Sequence, residues 1–268
     1  MLRRTSVVIA SLITMAPPFL AGQKTTRQPA QELAAGVYLE PKLQTGQALG
    51  NVFSRTISYR PEGTGIDELV RRASGTGIYV VTENSSSHLV MDGTFRYDGR
   101  PEYKGKTEMK DRGRTICYDG NCSPATDASG PLYNPLLWGE PKGTIRKGMS
   151  WNVAIAEPWE LGPPGQQTVT VIDVDPAGHS VTLKREGSGD GYFADDKKQI
   201  QVSKDGKSYL VDVAPGRSHW VGYTRFREGV VISDELVVER PVTLTSKELG
   251  SLPALERQYI LLNASPAP

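Results

Sequence analysis

The chain has 268 residues, enough for one large domain or two modest ones with a sizeable core. Hydrophobic residues make up 38%, with 28 Gly and 19 Pro, a mixture that suits short strands joined by turns and disfavours a helical bundle. The formal net charge is +1, which leaves no basic footprint for nucleic acid.

At the amino terminus, Met1–Arg4 carries positive charge, Val7–Ala16 is a short apolar run, and Leu20–Gly22 offers small residues for processing. This is the pattern of an export signal. The run is short for a membrane span and is broken by Pro17 and Pro18. Residues 1–22 are therefore expected to be a signal peptide and the only segment with membrane contact. The mature chain is expected in the periplasm or outside the cell. No cysteine near the processing region offers a site for a lipid anchor. Residues 23–47, rich in Gln, Thr, Ala and Gly, read as a flexible arm.

A β-rich domain is expected over 48–262. Leu49–Tyr59 alternates like a strand. Residues 65–73 spell a short helix: Ile66, Leu69, Val70 and Ala73 recur at three and four, with acids early and Arg71 and Arg72 late. At under three turns it would depend on packing. Strands follow at 77–82, 88–97, 102–109 and 115–117, separated by polar turns that include Asp98-Gly99.

Cys117 and Cys122, the only cysteines, flank a tip with Asp119-Gly120 at its centre. In an oxidising compartment they predict a disulfide staple worth about 2 kcal/mol. The spacing is not Cys-x-x-Cys and no neighbouring base activates a thiolate, which argues against redox chemistry.

The segment 123–147 reads as a crossing between two groups of strands. Its most apolar part is Pro131–Trp138. Trp151–Ile155 resumes the alternation, and the clearest hairpin pairs 168–174 with 180–184 around Asp175–Gly178. An acidic, glycine-rich loop covers 187–196, and strands at 208–213, 218–226 and 230–238 complete the set. Residues 263–268 read as a tail. The expected fold is mainly β, an antiparallel meander or curved sheet (half-barrel or sandwich) with one short helix near 65–73. The crossing either joins two sub-sheets or spans one.

Few residues suggest chemistry. The three histidines, His88, His179 and His219, lie in no metal-binding or Ser-His-acid pattern, and no Gly-x-Ser-x-Gly is present. Asp190, Asp195 and Asp196 lack the alternate spacing of a calcium loop. No catalytic residue, metal or cofactor is predicted.

A ligand-binding surface is suggested instead by Trp138, Trp151, Trp159 and Trp220, with Leu136, Leu137 and Tyr223. Large apolar residues on irregular segments either plug a sheet or line a pocket. The expected function is a non-catalytic exported protein that binds a small apolar or envelope-derived ligand, or serves as an envelope accessory factor. The alternative is a hydrolase of envelope polymer or carbohydrate using Glu157 and Glu160 beside Trp159. A third reading has an open strand edge pairing with another envelope protein.

Overall fold

Alternation of side chains decides the architecture. In the strand Ser218–Arg227, Ser218, Trp220, Gly222, Thr224 and Phe226 are buried, whereas His219, Val221, Tyr223, Arg225 and Arg227 are exposed. One face is core and the other is wet, the pattern of an antiparallel sheet. The computed structural model describes residues 39–63, 65–85, 87–126, 130–194 and 196–266, within the unit Ala34–Pro268. The expected signal peptide at 1–22, and residues 23–38 of the expected arm, lie outside the described residues.

Six strands form an N-terminal meander: β1 (Ala48–Pro61), β2 (Leu69–Asn84), β3 (His88–Tyr97), β4 (Tyr103–Lys110), β5 (Thr115–Tyr118) and β6 (Asn121–Pro124). A single helical turn, α1 (Pro135–Trp138), lies in the crossing. Then come β7 (Ser150–Ile155), β8 (Gly165–Asp175), β9 (Ser180–Gly189), β10 (Gln199–Lys204), β11 (Lys207–Pro215), β12 (Ser218–Arg227), β13 (Val230–Ser246) and β14 (Gly250–Pro266).

All belong to one open antiparallel sheet, twelve of them in the order β6-β5-β4-β3-β2-β1-β14-β13-β12-β9-β8-β7, with β10 and β11 paired off this path. The first and last strands meet at its middle, from Leu49↔Pro266 to Pro61↔Ala254. The sheet also forks. β13 pairs with β12 through Val230–Glu239 and with β11 through Val242–Thr245. Pro241, which brings no N–H to a ladder, marks the switch.

Two expectations are corrected. Residues 65–73 do not form a helix. Ile66 makes an isolated bridge to Lys204, and Leu69–Gly75 pairs residue for residue with Phe53–Tyr59. Each such pair satisfies backbone groups and packs cross-strand side chains, which outweighs a weak helical preference. Among the described residues a short 3-10 turn spans Asp111–Gly113, and the α-helical turn is α1 instead. Pro135 stands at its start, and the Asn134 side chain accepts a hydrogen bond from the Leu136 amide. Residues 263–266 are likewise no loose tail, because they pair with Leu49–Val52.

The crossing leaves the sheet at one edge, β6, and re-enters at the other, β7. It does so over the buried face. Leu132 bridges to Val230, the Tyr133 amide donates to the Gly229 carbonyl (2.9 Å), and the Val231 amide donates to the Pro131 carbonyl (2.8 Å). Leu132 packs with Leu49, Val81, Met91 and Met109, whereas Tyr133, Leu137 and Trp138 pack with Phe226, Trp220 and Leu236. The crossing is therefore a seam that joins two core clusters. A third cluster, around Tyr59, Ile200, Val211 and Leu244, fills the fork. Cys117 and Cys122 face each other in the β5–β6 ladder and form the expected disulfide.

Candidate functional site

The buried face of the N-terminal meander carries a row of aromatic side chains: Phe53 on β1, Tyr79 on β2, Phe95 and Tyr97 on β3, Tyr103 on β4 and Tyr118 on β5. Glycines set their posture. Gly75 stands between Phe53 and Tyr97 in the ladder, and Gly77 between Asn51 and Phe95. A Cβ on Gly75 would lie 2.6 Å from the Phe53 ring, one on Gly77 2.4 Å from Asn51 Oδ1, and one on Gly93 2.3 Å from the Phe95 ring. The rings therefore lie down across bare backbone, as aromatic residues do when they cover a cross-strand glycine.

They also hold one another. Phe53 meets Tyr97, and Tyr79 meets Phe95, edge to face at 5.5 and 5.1 Å. Tyr103 stacks on Phe95 (4.9 Å) and on Tyr97 (5.8 Å). Such pairs contribute about 0.5–1.5 kcal/mol each beyond simple burial.

Opposite this wall stand Thr126, Glu160 and Ala194, enclosing a groove of about 410 Å³. That volume falls in the usual range for small-molecule sites. The second wall is made of loop, and it is tied down. The Glu160 amide donates to the Thr126 carbonyl, and the Ala194 amide to the Trp159 carbonyl, both at 3.1 Å. Asp196 accepts from the Phe193 amide (3.1 Å) and from Arg240 on β13 (2.9 and 2.7 Å).

Arg240 is buried at the fork, 3.7 Å over the Phe193 ring, and also donates to Glu256 (2.7 Å). From there the polar contacts run back to the groove. Gln258 donates to Glu256 (2.6 Å) and accepts from Arg55 (2.8 Å), whose Nη1 lies 3.6 Å from Glu160. Desolvation lowers the basicity of Arg240, but Asp196 and Glu256 more than offset it and hold the guanidinium charged. Burial, with Glu256 beside it, pushes the Tyr59 hydroxyl well above its ordinary value.

The residues singled out in the sequence lie elsewhere. Leu137, Trp138, Trp159 and Trp220 are core, at 3% exposure or less. Trp138 packs edge-on to Phe226 (5.1 Å) and Trp159 to Trp220 (5.5 Å), while Trp220 Nε1 donates to Gln167 (2.9 Å). Trp151 is half-buried and donates to the Trp138 carbonyl (2.7 Å). Leu136 is half-buried, and Tyr223 is exposed on the opposite face. None of the seven lines the aromatic groove. Four of them form the packed layer behind its loop wall, since Trp159 directly precedes Glu160.

Within that layer Arg185 is fully buried. It pairs with Asp234 (2.8 Å) and lies 4.2 Å over the Trp138 ring, while its Nε and Nη1 meet no hydrogen-bond acceptor. Burial pushes Asp234 up and Arg185 down, each against the attraction of the other.

Of the candidate hydrolase pair, Glu160 is in the groove wall, whereas Glu157 is exposed and does not line it. Among the described residues no group of three or more metal-ligating side chains converges. Sequence reasoning missed the groove itself. Its signal was the pair Gly75-x-Gly77 against Phe95-x-Tyr97, which becomes readable only once the β2–β3 register is known.

A second cleft of about 420 Å³ lies between Glu40–Gln44 and His88, Met109 and Arg112. It abuts the start of the described residues and has no aromatic wall.

Fold and groove together define a mainly β protein with one disulfide and an aromatic-walled concavity. No family model matches the chain, and no curated protein does. Among solved structures it has a likeness to lipovitellin, in a structure titled for lipid–protein interactions, at 11% identity and TM-score 0.42. That likeness covers 85% of this chain, which spans only 26% of the lipovitellin chain. An outer membrane channel from Pseudomonas putida F1 matches at 8% identity and TM-score 0.24, over 84% of this chain and 98% of its own. A hot-dog-fold protein of unknown function from Alicyclobacillus acidocaldarius matches at 10% identity and TM-score 0.11, covering 84% and 81%. Likenesses at these scores carry nothing about ligand or location.

Proposed function

We propose that the chain is an exported, non-catalytic binding protein that holds an apolar or envelope-derived ligand against the aromatic wall of the β1–β5 groove. The observation that carries this reading is the wall itself. Six rings, four of them packed against glycines, present a broad apolar face to a concavity of ligand size. The apolar leader at 7–16 and the Cys117–Cys122 bridge support an oxidising, extracytoplasmic setting.

Binding is favoured over hydrolysis by the groove's acid count. Glycoside hydrolysis needs two carboxyl groups facing one bond, and among the described residues of this lining Glu160, paired with Arg55, is the carboxylate.

Native mass spectrometry of protein purified from its host, with displacement by an environment-sensitive apolar dye, tests the proposal. A retained ligand or saturable dye uptake is expected, lost on replacing Tyr103 and Tyr118 by Ala. Both residues are exposed at the groove rim, so the double variant keeps its fold. No bound species and no saturable uptake in the parent protein would sink the idea.

A further inference from the structure

The groove contains a polar group that an alkyl ligand leaves unsatisfied. Asn51, on β1, lines it and is only 7% exposed. Its Oδ1 is buried and accepts no hydrogen bond from the described residues. A buried acceptor without a donor costs about 1–3 kcal/mol, so the site favours a ligand that brings an O–H or N–H. Oδ1 lies over Gly77, where bare backbone and the edge of the Phe95 ring flank it. On the other wall Glu160, held by Arg55 at 3.6 Å, is a second acceptor. The same lining carries the row of aromatic rings. The lining has no Lys or Arg, so a phosphate-bearing ligand such as a nucleotide meets no counter-charge there.

From this juxtaposition we infer that the ligand class of the groove is a saccharide. A pyranose ring has one face of C–H bonds and a rim of hydroxyl donors. The face lies on the negative face of the aromatic rings, and the rim meets Asn51 and Glu160. The volume of about 410 Å³ suits one or two sugar rings. This inference rests on the proposed binding role of the groove and specifies its ligand. The same chemistry is offered by a free glycan and by the sugar headgroup of an envelope lipid.

Saturation-transfer NMR on the mature protein decides it, using cellobiose, maltose, lactose, N,N′-diacetylchitobiose, dodecyl maltoside and dodecanoate as probes. Transfer to the sugar protons of at least one disaccharide or of the glycoside is expected. If the glycoside binds and maltose does not, the source is a lipid headgroup; if disaccharides bind equally well, it is free glycan. Tyr103→Ala, at a residue 46% exposed, should abolish the transfer without unfolding the protein. Asn51→Ala should weaken affinity about fivefold to tenfold in calorimetry. Should Asn51→Ala fail to fold, the Tyr103 variant decides alone.

Transfer to dodecanoate and to no sugar proton overturns the saccharide class while leaving a binding groove. Transfer to none of the probes overturns both readings. Sugar transfer indifferent to Tyr103→Ala places the sugar elsewhere and also overturns the inference.

Discussion

Arg185 and Asp234 sit at zero and 2% side-chain exposure, bound at 2.8 Å, with Thr224 also donating to Asp234. An ion pair of this kind returns little net stability, because both charges lost their water, but removing one partner strands the other. Asp234→Ala should therefore lower stability by about 3–5 kcal/mol in urea denaturation, whereas Arg185→Met with Asp234→Leu should recover most of that loss. A cheap single variant and a damaging double one would contradict this account. Glu108 gives the opposite, partly exposed case. Hydrogen bonds from Lys110 and Lys106 hold its carboxyl below the ordinary 4.5. A carboxyl depressed by folding supports the folded state above its unfolded value, and that support fades as pH falls through the lower folded value. The NMR titration midpoint of Glu108 should thus lie below 4.5 and move up when Lys106 and Lys110 are both replaced by Met. A midpoint unchanged in that variant would mean that the lysines are not the cause.

Local pattern in this chain was a good guide wherever one face of a strand is wet. The hairpin of β8 and β9 and the alternation of β12 follow directly from their residues, and the paired cysteines follow from Asp119-Gly120 at a tip. It misled at 65–73, where Ile66, Leu69, Val70 and Ala73 fit a helical stripe. Helix spacing describes a residue's own neighbours, and the decisive partner of Leu69–Gly75 is β1, reached only after a turn. The tryptophans misled in the same way. Apolar bulk on irregular segments signals burial without saying whether the buried thing is core or ligand, and Trp138, Trp159 and Trp220 proved to be core. The aromatic groove was hidden because its residues come from five strands, and their order along the sheet is a matter of pairing. Its glycines carry a testable consequence. Gly77→Ala places a methyl 2.4 Å from Asn51 Oδ1 and 3.2 Å from the Phe95 ring. Overpacking of that kind should cost about 1–3 kcal/mol and tilt Phe95 out of the wall, read by urea denaturation and by loss of ligand uptake. Full stability with full uptake would show that the rings do not depend on bare backbone.

The whole sheet hangs on the strand that closes it. β14 pairs with β1 from Leu49 to Pro61 and with β13 from Ser233 to Ser246, so the chain's last strand lies between its two halves. The seam adds a second tie, since Leu132 and Val230 share a cluster with Leu49, Val81 and Met91. The polar contacts from Arg240 to Glu160 add a third, crossing from the fork to the groove through Gln258 on β14 and Arg55 on β1. With three ties, neither half has a closed core of its own, and cooperativity should extend over the full sheet. All four tryptophans lie between 138 and 220, so tryptophan fluorescence reports the C-terminal half, whereas amide exchange in β2–β4 reports the meander that carries the groove. Both probes should give one denaturant midpoint. Ending the chain at Glu248, which removes β14, should abolish the fold in both halves, because β1 and β13 would each present a long bare edge over an uncovered core. Two separated transitions, or a meander that survives the truncation with its amides protected, would mean that the groove folds on its own and that the seam merely covers it.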